Sequence, residues 1–299
     1  MDLLAAMTTF VTIVDQGSLT KAAEQLERSQ PSVVRALGAL EAHLGVRLLQ
    51  RTTRRMSLTP EGNEFLQRCR QILSDVTDAE RSVSQHHDLL QGQLRITAPV
   101  QFGQRHVVPL LNQFLAANPG IQCDIVLLDR NVDLIEEGVD LAVRIGPLAD
   151  SSLIAVPVGH LKRYVCASPG LIKKTGEPQS PEQLAQMPCI RFQNLARPSI
   201  WQFTGAPTNI SVKVTGPVSC NQIASGVAAC VDGLGYGQFL SYQVEEELKS
   251  GALTRVLTDF EWHDIPVHLV YSDRRLTTAR QKAITQFLKP LLKNRIDAI

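Results

Sequence analysis

The sequence predicts an all-α N-terminal domain carrying a two-stranded wing, then one long linker helix, then a larger α/β domain. Three observations predict it. Within the first sixty residues, short apolar-periodic segments are separated by helix-stop and helix-start signals and lead into a basic, β-branched stretch. From Pro60 to Leu90 no further proline occurs, and the apolar residues keep a seven-residue repeat. From Gln93 onward, β-rich runs alternate with helical ones. A chain of 299 residues, 44% hydrophobic and 20% charged, has room for roughly two or three such domains with buried cores.

The first helix is read from Leu3, Met7, Phe10 and Val14, spaced four, three and four apart, with Leu4 and Val11 alongside and Gly17 as its stop. Ser18 is an N-cap signal for a short second helix, Leu19 to Leu26, whose Ala22-Ala23 pair permits close helix approach. Ser29-Gln30-Pro31-Ser32 then places a polar cap and a first-turn proline at the start of a third helix, which ends at Leu44 before Gly45. Val33, Leu37, Leu40 and Leu44 fall on one side and must be core. The other side carries Pro31, Arg35, Gly38 and Ala42, flanked by Ser32 and Val34. A glycine inside a helix costs about 1 kcal/mol against alanine. It is explained if that slim face enters a major groove, or, more simply, if it relieves crowding against another helix. Val46 to Thr59 reads as a two-stranded wing whose tip, Thr52-Thr53-Arg54-Arg55, presents itself to phosphate or a minor groove. The three helices and the wing make a winged helix-turn-helix.

Charge supports that reading locally. The whole chain carries only +1, but Arg28 to Arg70 holds eight arginines against Glu41, Glu61 and Glu64, a net +5, so the remainder is acidic.

The order AAxxL, then SQPSVVRALGALEAHLGVRLL, then QRTTRRMSLTPEG resembles the DNA-binding domain of LysR-type transcriptional regulators, without a break from Asp2 to Gly62. The resemblance implies that Ser29, Gln30, Pro31, Ser32 and Arg35 belong to the recognition helix, and Arg51, Thr52 and Arg54 to the wing. Val34 departs from the family, which usually has serine there, so no base preference is carried over at that position.

Thr59-Pro60 opens the linker helix. Phe65, Cys69, Ile72, Val76, Ala79, Val83, His86 and Leu90 form its heptad seam, and a helix of about 30 residues would reach about 45 Å. No equal partner helix follows in sequence, so the seam is expected to pair with a second copy, as the resemblance also implies. Two winged domains held this way would read a two-fold, interrupted palindrome.

Beyond Gln93, strands are expected at 94–98, 123–128, 141–145, 164–167, 189–192, 212–214, 236–239 and 267–271, and helices at 105–117, 133–137, 181–186, 221–231, 242–248 and 278–292. The alternation indicates α/β architecture with largely parallel sheets. The resemblance implies two lobes similar to type 2 periplasmic binding proteins. The expected domains are 1–59 for DNA binding, 60–91 for dimerisation and 92–299 for regulation, the last with one lobe at 92–162 plus 268–299 and the other at 163–267. Ligands favour junctions where strands end and helices begin. Val100, Gln101 and Phe102 mark one such junction and Asn221 a second, with Arg144 and Trp201 as candidates for the same cleft; Trp201 as plain core and Arg144 as a structural ion pair are the alternatives.

Other chemistry finds little support. The six cysteines are scattered, without a CxxC pair or histidines at metal-ligand spacing, which points to a reducing, cytoplasmic setting with no disulfide framework. Asp2 replaces the basic start of a leader, and no run is long enough to cross a membrane. Gly233-Leu234-Gly235-Tyr236-Gly237 leads from helix to strand, the reverse of a dinucleotide fingerprint, and no GxSxG, Walker or HExxH motif occurs. The expected partners are double-stranded DNA, a small-molecule effector and a second copy as a homodimer, with no cofactor, metal or membrane; the resemblance further implies an effector of the carboxylate or aromatic kind, a homotetramer, and RNA polymerase as a partner. The alternative is a two-lobed α/β small-molecule-binding protein or enzyme with an accessory helical domain.

Overall fold

A computed structural model describes the chain except residues 52–55, 84–89, 131, 149–152, 194–198, 205–208 and 273–277. It divides into two compact units, Met1–Gln93 with Ile135–Gly138, and Leu94–Leu134 with Val139–Ile299.

In the first unit, α1 (Leu3–Gln16) is capped by Asp2, whose carboxylate accepts from the Ala5 N–H at 3.1 Å, and stops at Gly17 in the left-handed region. Helix α2 (Leu19–Gln25) starts at Ser18, whose hydroxyl accepts from the Lys21 N–H. Helix α3 (Gln30–Leu44) ends at left-handed Gly45. The strands β1 (Leu49–Arg51) and β2 (Met56–Leu58) pair antiparallel, Leu49 opposite Leu58. Helix α4 (Pro60–Val83) follows. Met7, Phe10, Ile13, Ala22, Ala23 and Leu37 lie in one core. Each large apolar side chain fully buried there contributes about 1.5–3 kcal/mol.

The buried face of α1 is rotated from the one read in sequence. Leu3 and Leu4 are 39% and 41% exposed, while Ala6, Thr9 and Ile13 are buried. Thr9 and Thr12 donate their hydroxyls to the carbonyls of Ala5 and Thr8, at 2.7 and 2.9 Å, so polar letters sit in the core at little cost. The linker seam also needs correction at its start. Phe65 and Cys69 pack into this unit's own core, with the Phe65 ring 6.0 Å from Phe10, and so are not free for a second copy. His86 of that seam lies outside the described residues, and Ala79 and Val83 are described through their backbone alone.

The second unit is built on a seven-stranded sheet, ordered β11-β6-β13-β5-β3-β4 with β12 also on β6. In chain order its elements begin with β3 (Gly92–Ala98), then α5 (Val100–Phe102), a π turn at Gly103–Val107 and α6 (Val108–Ala117), which continue one another. Next come β4 (Ile121–Leu127), β5 (Leu141–Ile145) and the long β6 (Leu153–Ala167). After α7 (Pro169–Thr175), the small strands β7 (Arg191–Phe192), β8 (Ile200–Phe203), β9 (Ile210–Lys213) and β10 (Ser219–Cys220) form two pairs, β7 with β10 and β8 with β9. Helix α8 (Ile223–Val231), β11 (Gly237–Leu240), α9 (Glu245–Lys249), β12 (Thr254–Val256), β13 (Trp262–Ser272) and α10 (Ala279–Asp297) complete it.

The large sheet is mixed, which corrects the expectation of largely parallel strands. β3 and β5 are parallel, but β13 runs antiparallel to both β5 and β6, and β11 and β12 run antiparallel to β6. Only the last four residues of β6 stood out in sequence, because Pro157, Gly159, His160, Lys162 and Arg163 interrupt its apolar pattern. Residues 134–138 form turns and not the expected helix, and α7 was not anticipated.

Candidate functional site

On α3, Val33, Leu37 and Leu40 are at most 1% exposed and Leu44 packs partly against the same core. Ser29, Gln30, Pro31, Arg35, Gly38 and Ala42 are exposed, with Ser32 half-buried. A Cβ added at Gly38 would meet nothing within 4 Å, so this glycine relieves no crowding against a neighbouring helix of its own chain. Arg35 lies back along the helix, its Nε 3.4 Å from the Pro31 carbonyl, and pairs with no acid among the described residues. The Ser29 side chain makes no capping bond and is left for other partners.

The wing is held against α3 by Glu41, whose Oε1 accepts from the N–H groups of Leu48 and Leu49 at 2.8 and 3.2 Å. On its far side, Thr59 donates to the Arg47 carbonyl at 2.7 Å and accepts from the Gly62 N–H at 2.9 Å. A Cβ at Gly62 would stand 2.0 Å from the Leu48 carbonyl oxygen, so α4 and the wing can meet only over a glycine. Thr52 and Arg54, with Thr53 and Arg55, lie outside the described residues, and Arg51 is described through its backbone.

The second unit holds a cavity of about 450 Å³. Arg144 and Trp201 both line it; Val100, Gln101, Phe102 and Asn221 do not. Arg144 donates to the Val132 carbonyl, and Trp201, 3% exposed, belongs to a hydrophobic core while showing an edge to the cavity. The Val100 N–H is taken by Asp129 at 3.0 Å and so is not itself free for a ligand. Gln101 and Phe102 stand behind the wall. Gln101 Nε2 reaches the Gln243 carbonyl at 3.5 Å while its Oε1 is buried without a partner among the described residues, and Phe102 meets Tyr242 edge-on at 5.1 Å. Asn221 is exposed ahead of α8. His106 lies beside Phe102 and Tyr242, and burial, helped by Arg295, lowers its pKa below the ordinary value. Burial likewise drives the Tyr242 hydroxyl well above the usual range.

Sequence reasoning missed Asp129, Gln202, Gln238 and Arg163 among the lining groups. For Arg163 a signal existed: strand alternation puts it on the same face as buried Leu161 and Val165, an unusual place for a cation. Among the described residues no three histidine, cysteine or acidic side chains converge as metal ligands, and no helix is long and apolar enough to cross a membrane.

Residues 4–63 match the family described as bacterial regulatory helix-turn-helix proteins of the lysR kind, and residues 87–293 match the LysR substrate binding domain. The chain is 33% identical over 299 residues to YhjC, an HTH-type transcriptional regulator of Escherichia coli (strain K12), covering 99% of this chain and 100% of that one. In structure it is similar to CrgA, a LysR-type transcriptional regulator from Neisseria meningitidis, with 30% identity, TM-score 0.58 and 98% of both chains covered. The full-length Vibrio cholerae virulence activator AphB aligns with TM-score 0.60 at 25% identity, over 95% of this chain and 98% of that one.

Proposed function

The chain belongs to the LysR family of bacterial transcriptional regulators, and from that premise we propose how its parts divide the work. It is a helix-turn-helix regulator with a DNA-binding domain and a small-molecule-binding domain, and it is not an enzyme, so the alternative of an enzyme with an accessory helical domain falls.

Residues 1–59 read double-stranded DNA. Ser29, Gln30, Pro31, Ser32 and Arg35 enter the major groove, and Arg51, Thr52 and Arg54 hold the backbone beside it. Residues 60–91 pair two copies, which bind an interrupted palindrome. Two such pairs assemble as a tetramer that engages RNA polymerase in the cytoplasm. Residues 92–299 sense the effector, in lobes at 92–162 plus 268–299 and at 163–267, and its binding alters DNA binding or activation. Arg144 and Trp201 touch the effector, while Gln101 and Phe102 act through Gln243 and Tyr242. Val100 and Asn221 are assigned no contact.

The observation that carries the DNA reading is the exposed ridge of α3, whose one interior glycine faces open space. The test is a footprint of the purified protein on genomic fragments, followed by titration of the protected duplex at several salt concentrations. Protection of two related half-sites, with affinity falling steeply as salt rises, is the expected result. Equal affinity for unrelated duplex, or a flat salt response, would sink it.

A further inference from the structure

We propose that the cavity of the second unit binds a small organic carboxylate, and that Arg163 is the residue that reads its negative charge; this rests on the reading of that cavity as the effector site. Arg163 is placed on β6 where that strand passes from β13 to β11, paired in register with Trp262 on one side and Leu240 on the other. Its guanidinium has no hydrogen-bond or ion-pair partner among the described residues, and burial alone depresses its pKa with no nearby acid opposing the effect. Arginine stays charged under such a shift.

Arg163 is half-buried, and a partly desolvated cation without a counter-charge among the described residues is stabilised when an anion supplies the missing partner. Elsewhere this chain supplies one. Arg255 is held by both carboxylate oxygens of Glu261 and lies 4.1 Å from the centre of the Tyr164 ring, and Arg144 has the Val132 carbonyl. Asp129, an acid that lines the cavity with Arg163, is engaged with the Val100 N–H. Arg163 is therefore a fork of donors facing a cavity with its counter-charge missing, and a planar carboxylate matches that fork in two parallel bonds. Trp201, Phe239, Ile200 and Ile265 supply apolar lining beside the polar Gln202, Gln238 and Gln243, so the remainder of the ligand carries apolar surface together with hydrogen-bonding groups. A volume of about 450 Å³ suits a ring-sized body. The apolar part of the lining favours an organic carboxylate over inorganic phosphate.

The test follows thermal unfolding of the full-length protein, at fixed ionic strength, with carboxylates and their neutral amides: benzoate with benzamide, hexanoate with hexanamide, succinate with succinamide. Inorganic phosphate is a separate arm. The expected result is that at least one carboxylate raises the midpoint while its amide does not. Arg163→Met should abolish that shift without lowering the ligand-free midpoint, since it removes an uncompensated charge. Arg163→Lys, which keeps the charge but loses the fork, should bind about tenfold more weakly or worse and covers the case in which the methionine variant fails to fold. The proposal is overturned if amide and carboxylate act equally, if the shift survives in Arg163→Met, if phosphate alone shifts the midpoint, or if no carboxylate does. Gln202→Trp, which fills the cavity from β8, separates the two readings. A shift lost there but kept in Arg163→Met leaves the effector cavity standing and removes Arg163; a shift kept in both removes the cavity as well.

Discussion

At Gly62 a methyl group would sit 2.0 Å from the Leu48 carbonyl oxygen, whereas at Gly38 it would meet nothing within 4 Å. Both are helical glycines, and both forgo about 1 kcal/mol of helix propensity. At Gly62 the reason is a backbone that cannot retreat, so Gly62→Ala should destabilise the N-terminal unit by about 1–3 kcal/mol despite the better helix former. At Gly38 no reason lies among the described residues. Gly38→Leu should leave the thermal midpoint unchanged or higher and yet abolish specific binding, because the bulk is added only where DNA would lie. Arg35→Ala completes the contrast: its side chain is exposed and, among the described residues, bonded only to its own helix, so stability should hold while affinity falls by about 1–3 kcal/mol. Calorimetry paired with fluorescence anisotropy on the palindromic duplex measures both quantities. Normal DNA binding by Gly38→Leu would mean that the ridge stays out of the groove.

Helix α4 shows how far an element can be read from its letters. Its start was legible, because Thr59-Pro60 is a cap signal and the Thr59 hydroxyl does accept from the Gly62 N–H. Its period was legible too, but a period names a stripe and not what covers it. The first turns of the stripe, Phe65 and Cys69, are covered by α1 and the rest of their own core; Ile72 is 38% exposed and Val76 half-buried. The same limit applies to β6 and β13, where the strand ends were read and the long antiparallel pairing was not, since polar residues break the pattern where the strands pair with each other. If Ile72 and Val76 mark where a second copy begins, then Ile72→Glu with Val76→Glu should put like charges face to face across the pair. Sedimentation should then show monomers, and affinity for the whole palindrome should drop to that for one half-site. A stable dimer of this variant would move the self-association elsewhere.

At the scale of the molecule, the uneven charge marks a basic segment from Arg28 to Arg70 and not a basic domain, because Met1–Gln93 carries ten Lys and Arg against eleven Asp and Glu. The cavity was less legible. Arg144 and Trp201 came from local strand signals, but Arg163 and Gln238 meet there only because β6 and β11 pair, a contact between distant stretches that no window of sequence contains. The same burial that hides such groups sets how the whole chain should respond to pH. Burial pushes the thiols of Cys69 in the first unit, and of Cys189 and Cys230 in the second, from 9.0 up to about 12. Between those values the folded chain keeps protons that the unfolded chain has released. The stabilisation is complete below about pH 9 and is lost as pH climbs toward 12, in both units. On the acid side the sign reverses. Burial lowers the pKa of His106 and His268 below 6.5, so the unfolded chain takes up protons first and stability falls as pH drops through 6.5. Both histidines belong to the second unit, so the acid loss should fall there while the alkaline loss is shared. Thermal midpoints measured across this range should form a plateau between the two limits. Iodoacetamide applied to the folded protein within the plateau should leave Cys69, Cys166, Cys189 and Cys230 unmodified, as their burial requires. A midpoint that keeps rising above pH 9, or rapid alkylation of those four thiols, would show that these cores admit solvent and that their thiols ionise as readily as exposed ones.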